Sequence, residues 1–234
     1  MSGHSKWSQI KRQKGVTDAK RSNAFTKLAN AVTIAAKLGK GLDIAISQAK
    51  SANMPKERID RAIARGKGEL GGAELAEATY EAYGPGGTAI LIKALTDNKN
   101  RTVSEIRAVL NKLGGTLASS GAVSYLFDQN GVIEISAAKI PMSKEDAEMI
   151  IIESGASDFE EDASIIYVYT EPKKVEEIKK NLEFKALPIE SAKLEMIPKT
   201  YINLSDDKKE TVLKIMEALE DLDDVNEVFT NADL

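Results

Sequence analysis

Cysteine is missing from this chain of 234 residues, histidine occurs once (His4) and tryptophan once (Trp7). Without cysteine there is no disulfide, thiolate zinc site, iron–sulfur cluster or cysteine nucleophile, and a reducing, cytoplasmic setting is expected. A single histidine near the start of the chain is badly placed for a Ser-His-Asp triad or an H-E-x-x-H zinc site. Long apolar runs are also missing. Residues 88–95 are among the longest, far below the roughly 18–20 residues that span a bilayer. The first seven residues are polar and basic, so no secretory signal and no membrane partner are expected. No cofactor, metal or small-molecule substrate is expected, and the chain does not read as an enzyme. A carboxylate-based hydrolase is the remote alternative, since spacing alone singles out no acid–base pair.

What is present is ordinary in bulk, with 42% hydrophobic and 29% charged residues, as in a globular protein. The net charge of −4 hides a polarity. Residues 1–72 carry +10, residues 73–133 carry −1 and residues 134–234 carry −13. A basic head on an acidic body points to nucleic acid or another anionic surface, or else to a solvated lysine-rich helical module.

Periodicity divides the chain in the same places. In 17–38, Phe25, Leu28, Ala29, Val32 and Ala36 fall on one helical face. Two shorter helices follow over 42–53 and 56–65, the latter opened by Pro55 and ended by Gly66. Gly66-Lys-Gly-Glu-Leu-Gly-Gly72 reads as a linker. Its G-x-G-x-x-G spacing follows a helix rather than a strand, which rules against a dinucleotide site. Strands are predicted over 78–83 and 88–96, joined by the turn Gly84-Pro85-Gly86-Gly87, which is either a rigid turn or a surface contact loop. A helix over 101–113 and strands over 116–119 and 122–127 come next. Residues 132–197 repeat β-α-β-β-α-β, the ferredoxin-like order, and a helix (205–222) and a strand (225–230) close the chain. The expected fold class is α+β with three domains. These are a basic N-terminal helical domain (1–72), a ferredoxin-like α/β domain (73–132 plus 201–234), and an acidic ferredoxin-like α/β domain (133–200) inserted into the second.

Candidate phosphate contacts concentrate in the head. Arg58, Arg61 and Arg65, spaced i, i+3 and i+7, share an arc of about 60° on one helix. Three guanidiniums in a row can meet successive phosphates, although a solvated face with local ion pairs has the same spacing. Lys20 and Lys27 lie opposite the apolar face of the first helix, with Arg21 nearby. Lys6, Lys11, Arg12 and Lys14 form a basic arm around Trp7, which either stacks on a base or pins the arm by packing. Lys99 and Arg101 sit where Asp97-Asn-Lys-Asn-Arg-Thr102 opens a helix, a place suited to phosphate and equally to capping. The acidic runs 158–162 and 220–224 lack calcium-loop spacing and read as solvated or helix-end charge.

Gly3-His-Ser-Lys-Trp7, Asp18-Ala-Lys-Arg21, Phe25-Thr-Lys-Leu28, Arg61-Ala-Ile-Ala-Arg-Gly66, Tyr80-Glu-Ala-Tyr-Gly-Pro-Gly-Gly87, Asp97-Asn-Lys-Asn-Arg-Thr102, Gly121-x-Val-x-Tyr-Leu-Phe127 and Met196-Ile-Pro198 occur in one register. As an ordered set they resemble the YebC/PmpR family over nearly the whole chain. The resemblance implies a three-domain cytoplasmic protein that binds nucleic acid. Members are described as DNA-binding transcriptional regulators. A mitochondrial relative activates translation of a cytochrome oxidase subunit, and bacterial relatives are linked to the ribosome. One departure stands before the second helix, where Ile44-Ala-Ile-Ser replaces the basic Asn-Pro-Arg-Leu-Arg-like stretch. The function expected is a DNA-binding transcriptional regulator, with a ribosome- or mRNA-associated translation factor as the alternative.

Overall fold

The computed structural model describes residues 18–39, 41–71, 74–162 and 164–234, with side chains from Ala24 onward. The arm residues Lys6, Trp7, Lys11, Arg12 and Lys14 lie outside the described residues, as do the side chains of Lys20 and Arg21.

Helices α1 (Asp18–Leu38), α2 (Leu42–Ser51) and α3 (Lys56–Gly66) form the head. The predicted apolar face of α1 supplies its core. Val32 is fully buried against Ala45, Ala49, Met54, Ile59 and Ala62, with Phe25, Leu28 and Ile63 around them. A second apolar edge of α1, which the spacing does not single out, attaches the head to the body. It consists of Ala31 and Ile34, packed on Leu75 and Leu95.

Gly66 is a crossing point rather than linker. A Cβ there would lie 2.3 Å from the Thr33 carbonyl oxygen and 2.7 Å from the Ala36 Cβ. Alanine favours a helix over glycine by about 1 kcal/mol. Overpacking against backbone cannot be relieved by a rotamer change and costs about 1–3 kcal/mol, so packing wins. Gly66→Ala is expected to destabilise the head by about 1–2 kcal/mol. A urea midpoint followed by far-ultraviolet circular dichroism checks this, and an unchanged or raised midpoint would show slack in the α1–α3 crossing.

The body holds two antiparallel four-stranded sheets. The first contains β1 (Ala76–Tyr83), β2 (Ala89–Thr96), β3 (Thr116–Leu117) and a strand from the chain's end, and its order is β3-β1-β2-last strand. The second is built from β4 (Phe127–Ser136), β5 (Asp158–Asp162), β6 (Ile165–Thr170) and β7 (Ile189–Pro198) in the order β5-β6-β4-β7. Helix α4 (Lys99–Leu113) follows β2, while α5 (Lys144–Glu153) and α6 (Val175–Phe184) belong to the second sheet. The chain then returns through β8 (Ile202–Asn203), α7 (Asp206–Glu220), β9 (Val225–Thr230) and β10 (Ala232–Asp233). β9 pairs with β2 and completes the first sheet, and β10 pairs in parallel with β8.

In the second sheet, strand order and the two helices match the ferredoxin-like arrangement. Ile133, Ile135, Ile166 and Val168 pack on Ile151, Ile178 and Leu182 of α5 and α6. β4 starts at Phe127, so residues on both sides of position 132 share one strand. In the first sheet, α4 and α7 cover one face through Ile106, Leu110, Ile215 and Leu219. The opposite face packs Ala89, Leu91 and Phe229 on Val123 and Phe127. β2 is therefore covered on both sides, which its run from Ala89 to Ile92 requires.

One predicted strand is absent. Residues 122–127 are a 3₁₀ turn (Ser124–Leu126) running into β4, and β1 takes the place between β2 and β3. The cause is Glu81. Its buried carboxylate accepts hydrogen bonds from the amides of Gly121 (2.7 Å), Val123 (2.6 Å) and Ser124 (2.9 Å). Amides gathered onto one carboxylate cannot also serve a strand ladder.

Candidate nucleic-acid interface

The described candidate cations separate into two groups. Arg58 and Arg61 are exposed along α3, and the Arg58 guanidinium stands over the Phe25 ring at 5.7 Å. Stacking on the ring holds the planar group without consuming its donors. Ile59 and Ala62, each the residue after one of them, are buried and fix which face of α3 is turned outward. Lys99 is also exposed, while its backbone carbonyl accepts the Tyr80 hydroxyl at 3.4 Å.

Lys27, Arg65 and Arg101 turn inward to the junction of head and body. Lys27 Nζ donates to the Glu220 carbonyl at the end of α7, where the helix dipole favours a cation. Arg65 lies 3.6 Å from the Asp97 carboxylate. Arg101 reaches Asp97 at 3.1 Å and both oxygens of Asp224, at 2.9 and 2.8 Å. Asp224 also accepts the hydroxyls of Thr96 (3.1 Å) and Thr102 (2.7 Å). Its bond and charge hold the Arg101 guanidinium further toward the protonated form. At the start of α4, Asn98 Oδ1 accepts the Arg101 amide at 3.1 Å, so this turn is a capped helix end.

Two features of the acidic runs depart from the solvated-surface expectation. Asp224 and Asp162 are both buried, with exposures of 7% and 6%. Asp224 is the partner that spacing does not reveal, because 123 residues separate it from Arg101. The head–body junction opens into a cleft of about 580 Å³. Asp97, Glu105, Asp221, Asp223 and Asp224 line it together with Arg65 and Arg101. Five carboxylates against two guanidiniums make this cleft repulsive to a phosphate. Among the described residues no group of three or more histidine or acidic side chains is arranged to hold a metal. No helix among them is long and apolar enough to cross a membrane.

Comparison with known proteins gives one consistent picture. Residues 5–69 match the family model of the TACO1/YebC protein N-terminal domain, and residues 75–232 match that of the TACO1/YebC second and third domain. A protein of Syntrophus aciditrophicus named "probable transcriptional regulatory protein" is 47% identical, over 100% of this chain and 96% of its own length. A Thermotoga maritima protein of the same name is 46% identical, over 100% and 94%. The crystal structure of a conserved hypothetical protein from Aquifex aeolicus superposes with a TM-score of 0.84 at 42% identity, over 92% of this chain and 91% of that one. Matched in both of its family models, and in sequence and fold along nearly all its length, the chain belongs to the TACO1/YebC family.

Proposed function

We propose that the protein is a cytoplasmic regulator of gene expression that binds DNA through the outer ridge of its helical head, residues 1–72. One observation carries this reading: Arg58 and Arg61 stand exposed on the same ridge of α3 while Arg65 and Arg101 are paired within the fold. Two guanidiniums three residues apart are separated by about 4.5 Å along the helix axis, close to one phosphate step of about 3.4 Å on a strand. The +10 charge of the first 72 residues supplies long-range attraction, and the acidic body orients the head away from itself. The relatives' names, probable transcriptional regulatory protein, support a regulatory role.

A double charge reversal, Arg58→Glu/Arg61→Glu, is expected to weaken duplex binding by more than tenfold and to lower the salt slope by about 2. Fluorescence anisotropy across a salt series measures both, and a double variant that binds like the parent would remove the ridge from the interface. A ridge that meets phosphates but reads no base edges also suits ribosomal or messenger RNA, which is the second reading. Crosslinking in cells followed by sequencing of the bound nucleic acid separates promoter DNA from ribosomal RNA.

A further inference from the structure

Helix α5 is apolar on two sides. Inward, Ala147 and Ile151 are fully buried in the core of the second sheet. Outward, Met149 is 57% exposed and Ile152 is 64% exposed. A helix lying on a sheet ordinarily turns one apolar stripe to the core and polar residues to water. α6, packed in the same core, does so: before Phe184, its exposed positions are Glu177, Lys180, Asn181 and Glu183. Single exposed apolar side chains are ordinary. Met149 and Ile152, three residues apart, are instead neighbours on one helix surface. The helix that carries them is fixed in place. Ser143 caps it by accepting the Asp146 amide at 3.2 Å, and Lys144 pairs with Glu161 of β5.

The surroundings of this pair are acidic. At about 100° per residue, Glu145, Glu148, Met149 and Ile152 share an arc of about 100°, and Glu153 borders it beside Met149. Glu145 and Glu153 are exposed. Residues 144–162, which run from α5 through β5, hold one lysine against eight carboxylates. That charge excludes most occupants. The phosphates of a nucleic acid and anionic lipid headgroups are repelled. A two-fold contact of this face with itself sets carboxylate against carboxylate. An outward helix face is also not the concave site that a small molecule needs. An occupant of this face has to bring positive charge around an apolar stripe.

We infer that the outer face of α5 is a docking surface for a basic amphipathic helix of a partner protein. The apolar stripe of that helix seats on Met149 and Ile152. Its lysines and arginines lay their alkyl stems along the edges of the stripe and reach Glu145, Glu148 and Glu153 with their charged ends. Charge complementarity sets the orientation and speeds encounter, and the apolar pair supplies the affinity. Met149 is unbranched and adapts to differing partner side chains. Two apolar side chains with a charged rim make a contact of the transient class rather than a permanent assembly. The surface lies on the acidic third domain and does not depend on the nucleic-acid reading of the head.

The test uses the full chain and a short labelled helical peptide with leucine on one face and lysine on the other, set against the same peptide with glutamate for lysine. In fluorescence anisotropy, Met149→Gln/Ile152→Gln is expected to weaken binding of the lysine peptide by about tenfold. Its thermal midpoint should stay at the parent's, because both side chains are exposed. Met149→Leu/Ile152→Leu should restore binding. Glu145→Gln/Glu153→Gln should weaken binding about threefold and flatten its salt dependence. Phe184→Gln, which removes an 88% exposed ring from α6, should change nothing. Parental binding by Met149→Gln/Ile152→Gln overturns the inference, as does an equal loss in Phe184→Gln or equal binding of the glutamate peptide. Light scattering that shows self-association of the parent, dissolved by Met149→Gln/Ile152→Gln, makes the occupant a second copy and overturns it too. Duplex binding is expected to be unaffected by Met149→Gln/Ile152→Gln. A loss there would assign the face to the nucleic-acid interface, whereas a loss confined to Arg58→Glu/Arg61→Glu keeps the two sites separate.

Discussion

Glu81→Ala lowers the stability of the folded chain by about 3 kcal/mol, the cost of leaving buried amides without their charged acceptor. The three amides of Gly121, Val123 and Ser124 have no other acceptor placed for them once the carboxylate is gone, and Val123 is itself fully buried. Glu81→Gln keeps one oxygen but brings an NH₂ group toward those amides, so it recovers only part of the loss. The pH dependence follows from the same geometry. Burial opposes ionisation of Glu81, but the backbone donors outweigh it and hold the carboxyl below its ordinary value of 4.5. A depressed folded-state pKa means that the unfolded chain takes up the proton first. The stabilisation is thus complete above about pH 4.5 and is lost as pH falls through the lower folded-state value. Urea unfolding at neutral pH and at about pH 3.5 measures this. The difference between parent and Glu81→Ala is expected to shrink at the acid point, and a constant difference would assign the loss to packing instead.

That carboxylate also marks where the sequence stops being legible. The face of α1 from Phe25 to Val32 was readable because neighbours on a helix recur at fixed spacing. β2 was readable because a strand covered on both sides is largely apolar, as Ala89 to Ile92 are. The ferredoxin-like order of β4 to β7 followed from alternation and turn residues. Residues 122–127 are as rich in apolar and aromatic residues as a strand, and only a partner some 40 residues away, Glu81, makes them a turn. The arginine ridge was legible as an arc, but not its division. Arg58 and Arg61 face outward while Arg65 meets Asp97, because α1 and the end of β2 meet at the head–body junction. Gly66 read as linker because a close approach to Thr33 depends on how two helices cross, which no local pattern records.

Asp224→Ala is expected to cost about 3 kcal/mol, and its coupling to Arg101 identifies the mechanism. The substitution removes the acceptor shared by Thr96, Thr102 and Arg101. Both threonines are buried, at 1% and 0% exposure, so water does not replace the lost acceptor easily. Their hydroxyls still bond each other at 2.8 Å, and Thr102 also reaches the Asn98 carbonyl at 3.0 Å. Arg101 retains Asp97 and is half exposed, so solvent screens part of its lost attraction and keeps the cost below that of a fully buried pair. Asp224→Asn preserves an acceptor for the hydroxyls but not the charge, and falls between parent and alanine. In a double-mutant cycle, Arg101→Met and Asp224→Ala are expected to be non-additive, the double variant costing less than the sum of the two single ones. Additivity within about 0.5 kcal/mol would show that the threonine hydroxyls, not the ion pair, account for the loss. The cycle also bears on binding. Arg101 is tied to Asp224 in the folded chain, so Arg101→Met should leave the salt slope of nucleic-acid binding unchanged where Arg58→Glu/Arg61→Glu lowers it.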